Sequence, residues 1–123
     1  MSKPYLHEEL TQKIIKCFYA VWDELGGGFL ESVYENALMV EFKLNGINAE
    51  NQKELKIKYK GELVGDFKAD IVVEGKVLIE IKAVSGLNEK HVAQLINYLK
   101  GTDIKVGLLV NFGEKLEFKR RIY

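Results

Sequence analysis

GDFKADIVVEGKVLIEIKAV, residues Gly65 to Val84, is the stretch on which the fold turns. Two apolar runs flank Glu74-Gly75-Lys76, which predicts two strands joined as a hairpin. Successive side chains of a strand alternate between faces. Val77, Ile79, Ile81 and Ala83 therefore point one way, and Leu78, Glu80 and Lys82 the other. In the preceding strand, Asp66, Lys68, Asp70 and Val72 should oppose Phe67, Ala69, Ile71 and Val73. Loop length decides which charges meet. A three-residue loop at Glu74–Lys76 sets Asp70 opposite Glu80, and one at Val73–Gly75 sets them diagonally. A two-residue Glu-Gly loop would send Asp70 to the other face, because a one-residue slip inverts every side chain. The odd loop is expected, since Gly75 at its third position suits a turn-plus-bulge form.

Asp70, Glu80 and Lys82 on one face make a small constellation with chemical meaning. Two carboxylates with converging oxygens suit a hard divalent cation such as Mg2+, which keeps waters for a phosphate. A neighbouring lysine can hold or polarise an attacking water and offset phosphate charge. These are parts for metal-assisted phosphodiester hydrolysis. The same three side chains also read as an Asp–Lys–Glu ion-pair cluster on a solvated sheet face.

Working outward, Ile47 to Leu63 alternates Leu55, Ile57 and Tyr59 with Lys56, Lys58 and Lys60. This predicts a half-buried strand that turns at Lys60-Gly61-Glu62 into the central hairpin. The lysine row reads as a solvated face or as edge protection rather than a phosphate track. On the other side, Ser85-Gly86 breaks the chain, and Ser85 or Asn88 can cap a helix over Glu89–Lys100. His91, Gln94, Leu95 and Tyr98 lie along one side of that helix, with Gln94 and Tyr98 able to reach one point. Val106–Asn111 is a nearly continuous apolar strand, as expected for burial on both faces. A last strand, Leu116–Tyr123, carries the basic run Lys119-Arg120-Arg121.

Two helices precede the strands. Leu10, Ile14, Phe18, Val21, Trp22 and Leu25 fall at helical spacing, with Cys17 at the edge of the stripe as a small buried hydrophobe. Gly26-Gly27-Gly28 ends that helix, and a second runs from about Leu30 to Leu44 with Leu30, Val33, Ala37, Leu38 and Phe42 on its apolar face. Glu31, Tyr34 and Glu35 share another strip. Glu31 reads either as a charge suited to a helix N-terminus or as a carboxylate aimed at the hairpin.

Composition bounds the function. The chain has 123 residues, 47% of them hydrophobic and 29% charged, which fits one domain (residues 1–123) with an ordinary soluble core. Lys+Arg and Asp+Glu both total 18, so no general basic excess drives nucleic-acid binding, and only a local field could do so. One cysteine excludes an internal disulfide. With neither a signal peptide nor a membrane-length apolar run, a cytoplasmic location away from membranes is expected.

Three motifs in order resemble a known family. Asp70…Glu80-Ile81-Lys82 resembles the core of the PD-(D/E)xK nuclease superfamily, with Ala69 in the place of the proline. Gly28-Phe29-Leu30-Glu31-Ser32-Val33-Tyr34 is similar to the Gly-x-x-Glu-x-x-Tyr (GxxExxY) signature of a small bacterial family within it. Gln94-Leu95-Ile96-Asn97-Tyr98 is similar to the Gln-x-x-x-Tyr element of exonuclease-like branches. The resemblance implies an α/β restriction-endonuclease-like core: a mixed central sheet of about five strands flanked by helices. It implies a Mg2+- or Mn2+-dependent nuclease acting on nucleic acid, DNA in preference to RNA, and it is compatible with a homodimer. Asp70, Glu80, the Ile81 carbonyl and Glu31 would be metal ligands, Lys82 would orient the water, and Gln94, Tyr98 and Tyr34 would orient the substrate. The other reading is a non-catalytic module that keeps the fold and binds nucleic acid or protein.

Overall fold

The computed structural model describes residues 5–123 as α1 (Glu8–Leu25), α2 (Glu31–Leu44), β1 (Ala49–Tyr59), β2 (Glu62–Val73), β3 (Val77–Lys82), α3 (Glu89–Lys100), β4 (Val106–Phe112) and β5 (Leu116–Ile122). The five strands form one sheet in the order β1-β2-β3-β4-β5. All neighbours are antiparallel except β3 and β4, which run parallel as the intervening helix requires. This is the expected single-domain α/β architecture. Among the described residues, no helix is long and apolar enough to cross a membrane.

The sheet is a wall between two apolar clusters. On one side α1 and α2 bury Ile14, Phe18, Tyr34, Leu38 and Phe42 against Ile71, Val73, Ile79, Ile81 and Val110. On the other, α3 lays Leu95 and Leu99 on Ala69, Val72, Leu78 and Leu109. β4 is buried along its whole length because helices cover both faces. Cys17 lies inside the first cluster, and its thiol is pushed up to about 11, first by burial and then by Glu41. A thiol held in its neutral form is a packing group, not a nucleophile. Leu30 departs from the expected apolar face: it caps α2 from outside and is exposed.

The turns follow local chemistry. Lys60 and Gly61 both have positive φ, as the tight β1–β2 hairpin demands. Asn88 caps α3 by accepting from the Lys90 and His91 amides, while His91 Nδ1 accepts from the Asn88 amide at 3.1 Å. The lysine row of β1 lies on an edge strand, with Lys56 opposite Asp66, Lys58 opposite Leu63 and Lys60 in the turn. Charged side chains along an exposed edge strand are in line with edge protection.

Candidate active site

The hairpin has the odd loop. Val73 pairs with Val77 and Ile71 with Ile79, leaving Glu74-Gly75-Lys76 as the connection. Continued by one step, that register would set Asp70 opposite Glu80. The ladder stops there instead, and the two strands fork. Asp70 Oδ2 fills the opening and accepts the Ile81 amide at 2.7 Å. Glu80 Oε1 reaches back toward the Asp70 amide at 3.4 Å, a long contact. Side-chain carboxylates thus replace backbone partners at the fork, which brings them together.

Strict alternation along β2 is not what the structure shows. Ile71 and Val73 pack with α1 and α2, but Ala69 packs beneath α3, and Phe67 stacks on Tyr98 of α3 with ring centroids 3.9 Å apart. The faces switch at Asp70. The cause lies in β1, where Asn51 pairs with Ile71 and Lys53 with Ala69, but Gln52 between them has φ 51 and makes no ladder pair with Asp70. A left-handed residue in one strand kinks the pair and frees its partner from the regular pleat. The proximity of Asp70 and Glu80 thus follows from the register of Ile71–Val73, while the kink and the fork set the faces of the residues before Asp70 and open the ladder for the two carboxylates.

Electrostatics single out this pair. Glu80 is only 7% exposed. Its carboxyl is pushed up to about 8, first by burial, then by the Asp70 charge, with Glu31 adding to the rise and Lys82 opposing it. Asp70 is raised too, chiefly by burial and then by Glu35 and Glu31, against the Ile81 hydrogen bond and Lys82. Lys82 stands half-buried beside them, yet it makes no ion pair with either carboxylate. The alternative of a solvated ion-pair cluster therefore fails on two counts: Glu80 is buried and Asp70 half-buried, and the lysine does not close on them.

The remaining candidates fall at different distances from this centre. Glu31 begins α2 and is exposed; its charge reaches both carboxylates from the rim. Among the described residues, no three His, Cys, Asp or Glu side chains gather into a metal-holding group, so Glu31 is not packed into a closed cage with Asp70 and Glu80. Gln94 Nε2 donates to the Tyr98 hydroxyl at 2.7 Å. Tyr98 feels the site, its phenol raised first by burial and then by the Glu80 charge. Tyr34 has another place. It is fully buried and stacked on Phe112 at 4.3 Å, and its hydroxyl donates to the Gly26 carbonyl at 2.6 Å while accepting the Phe29 amide at 3.2 Å. That spends both capacities of the phenol on the glycine turn, so Tyr34 shapes the loop ahead of Glu31 rather than meeting a substrate.

Sequence reasoning missed Glu35 as a member of the site. Its Oε1 accepts Gln52 Nε2 at 2.7 Å and its Oε2 accepts Asn51 Nδ2 at 3.2 Å, tying α2 to the β1 kink. Its position one helical turn after Glu31 was the available signal. The kink at Gln52 had none, because glutamine is not a residue that marks a left-handed conformation.

Comparison with known proteins agrees with this geometry. No curated protein matches the sequence. Among solved structures, the chain resembles the protein SSO0001 with a TM-score of 0.57 and 24% identity, over 96% of this chain and 60% of that one. It also resembles an alkaline exonuclease (LHK-Exo) from Laribacter hongkongensis, with a TM-score of 0.52 and 12% identity, over 74% of this chain and 55% of that one. These likenesses show a shared fold, and the present chain spans 60% and 55% of the two proteins' lengths. The sequence from residue 8 to 121 matches the PD-(D/E)XK nuclease superfamily, which takes in the hairpin, the fork and all three helices. By that match the chain belongs to the PD-(D/E)XK nuclease superfamily.

Proposed function

We propose that the chain hydrolyses phosphodiester bonds of nucleic acid with the help of a divalent cation, Mg2+ or Mn2+, held at Asp70 and Glu80. One observation carries the reading: a buried carboxylate, Glu80, and a half-buried one, Asp70, meet in the strand fork, both pushed toward their protonated forms, with no cationic side chain among the described residues paired to them. A fold keeps such a pair only at a cost. The donor set suits a hard cation. Asp70 spends Oδ2 on the Ile81 amide and Glu80 makes one long contact, which leaves carboxylate oxygens available. The Ile81 carbonyl, on the resemblance, is a further oxygen ligand. When bound, the cation would polarise the phosphate and acidify a water.

The chain's own residues would do the rest. The Ile81 amide fixes the Asp70 rotamer. Lys82, uncommitted to either carboxylate, is available to hold the attacking water and offset phosphate charge. Glu31 at the rim is the carboxylate placed to complete the ligand shell through water or to take up a proton. The Gln94–Tyr98 pair offers an amide and a phenol to orient a phosphate or base. Within the superfamily, Gly28, Glu31 and Tyr34 favour placement among Gly-x-x-Glu-x-x-Tyr proteins. A single free, buried thiol fits the reducing cytoplasm as the place of action.

The test is incubation with single- and double-stranded DNA and RNA in Mg2+, Mn2+ or a chelator. Metal-dependent cleavage, favouring DNA and lost in Asp70→Asn and in Lys82→Ala, is expected. The zero net charge favours a second reading, a non-catalytic binding module. Tight binding of nucleic acid or protein without cleavage in any metal would establish that one instead.

A further inference from the structure

The glycine turn before α2 holds two large apolar side chains in water just ahead of Glu31. Phe29 is 47% exposed and Leu30 77%. The next residue is Glu31, whose charge Asp70 and Glu80 both feel. Phe29 and Leu30 form one wall of a groove of about 630 Å³, with Trp22 and Phe112 among its other walls. A further wall is Ala83-Val84-Ser85, the continuation of β3 beyond Lys82. The groove therefore joins the candidate site at two points, through the chain neighbours of Glu31 and of Lys82.

This groove is rigid. Gly27 lies so close to the β4–β5 turn that a Cβ there would collide with the Gly113 carbonyl oxygen. A Cβ at Gly113 would in turn collide with the Val84 carbonyl. Buried Asn111 grips Val84 through both backbone groups, at 2.9 and 2.9 Å, and Tyr34 closes the glycine turn. Three loops are locked together, yet Phe29 and Leu30 at their edge remain outside the core. An apolar edge held rigid beside a polar site is a contact surface.

We propose that this groove receives an unstacked nucleobase of the polymer whose backbone lies at Asp70 and Glu80. The proposal rests on the nuclease reading and names the substrate class of that site: single strands and splayed ends, in preference to continuous duplex. The lining selects the occupant. Among the described residues it holds the exposed Phe29 ring, aliphatic side chains and one acid, Glu114, and no lysine or arginine, so a phosphate would be repelled rather than held there. A base offers the planar, weakly polar face that aromatic side chains bind without regard to sequence. In a duplex that face is already stacked. Attachment to the backbone at the carboxylates would bring the next base to the groove.

Trp22 is the only tryptophan of the chain and lines the groove, so its emission reports occupancy. The experiment titrates the protein in millimolar Ca2+ with a short single-stranded DNA, with an abasic strand of the same length, and with a blunt duplex. Saturable quenching by the single strand alone is expected, with roughly tenfold weaker binding in Phe29→Ala, the size of one lost stacking contact. Leu30→Ala, a change at an exposed side chain, carries the same test if Phe29→Ala fails to fold. Equal quenching by the abasic strand, or wild-type binding in both variants, overturns the proposal. Cleavage of the strand in Mg2+ without base-dependent quenching removes the groove and keeps the nuclease. Base-dependent quenching without cleavage in Mg2+ or Mn2+ keeps the groove and removes the nuclease.

Discussion

Glu80 carries a strongly raised carboxyl, so its protonation bears on the stability of the protein. Its folded carboxyl sits at about 8 against an ordinary 4.5, because burial and the Asp70 charge disfavour the ionised form. A raised folded value means that the native state binds the proton more tightly than the unfolded chain does. The resulting stability is fully present below pH 4.5 and is lost as pH rises through about 8. The loss is on the order of a few kcal/mol, since each unit of difference is worth about 1.4 kcal/mol. Metal-free wild type should therefore unfold at lower urea at pH 8.5 than at pH 5, and Glu80→Gln should flatten that slope across the window. An equally steep slope in the variant would place the titrating group elsewhere. Lys82→Ala should do the opposite. Its charge favours ionisation of both carboxylates, so removing it should move their titration further upward and steepen the decline. Urea titrations at three or four pH values read both effects.

At the scale of elements, the motif Gly28…Glu31…Tyr34 is a device for starting a helix in the right place. Gly28 has φ 104, which a side chain would resist, and the Tyr34 hydroxyl joins the Gly26 carbonyl to the Phe29 amide. Tyr34→Phe keeps the ring on Phe112 but leaves two backbone groups without their partner. It should cost about 1–2 kcal/mol and speed hydrogen exchange at the Phe29 amide; unchanged exchange there would refute the clamp. Element types and order were legible in the sequence. Period-2 runs gave the strands, apolar stripes gave the helices, and Glu89–Lys100 was marked at both ends by Asn88 and Gly101. The meeting of Asp70 with Glu80 was legible through the loop at Gly75. What escaped was set by contacts between elements. The kink at Gln52 is fixed by Glu35 of α2, and the burial of Tyr34 by Phe112 of β4, and neither partner is near in sequence. Side-chain periodicity describes one element at a time, so it put Tyr34 on the Glu31 strip and Leu30 in the core.

For the molecule as a whole, the strained pair implies that a bound cation should stabilise the fold. The chain carries no net charge, so general repulsion does not weaken it, and the unfavourable charge is concentrated at Asp70, Glu80, Glu31 and Glu35. The unfolded chain lacks the fork and so lacks the paired oxygens. A cation that binds only the folded form adds about 2.7 kcal/mol at a hundred times its dissociation constant. For a domain of this size that is an upward shift in Tm of roughly 10 °C. The shift should be larger at pH 8.5 than at pH 6, because the cation must displace the proton that Glu80 retains below about 8. Asp70→Asn should abolish most of the shift, and it should also raise the metal-free Tm, since the amide keeps an oxygen for the Ile81 amide while removing a negative charge. Lys82→Ala should keep the shift and lose cleavage, separating the residues that hold the cation from the one that serves the water. Thermal melts of wild type and both variants, with Mg2+, Mn2+ or a chelator at the two pH values, decide the matter. A wild-type Tm indifferent to millimolar metal would make the fork a relic of the fold, and an undiminished shift in Asp70→Asn would move the cation to other residues.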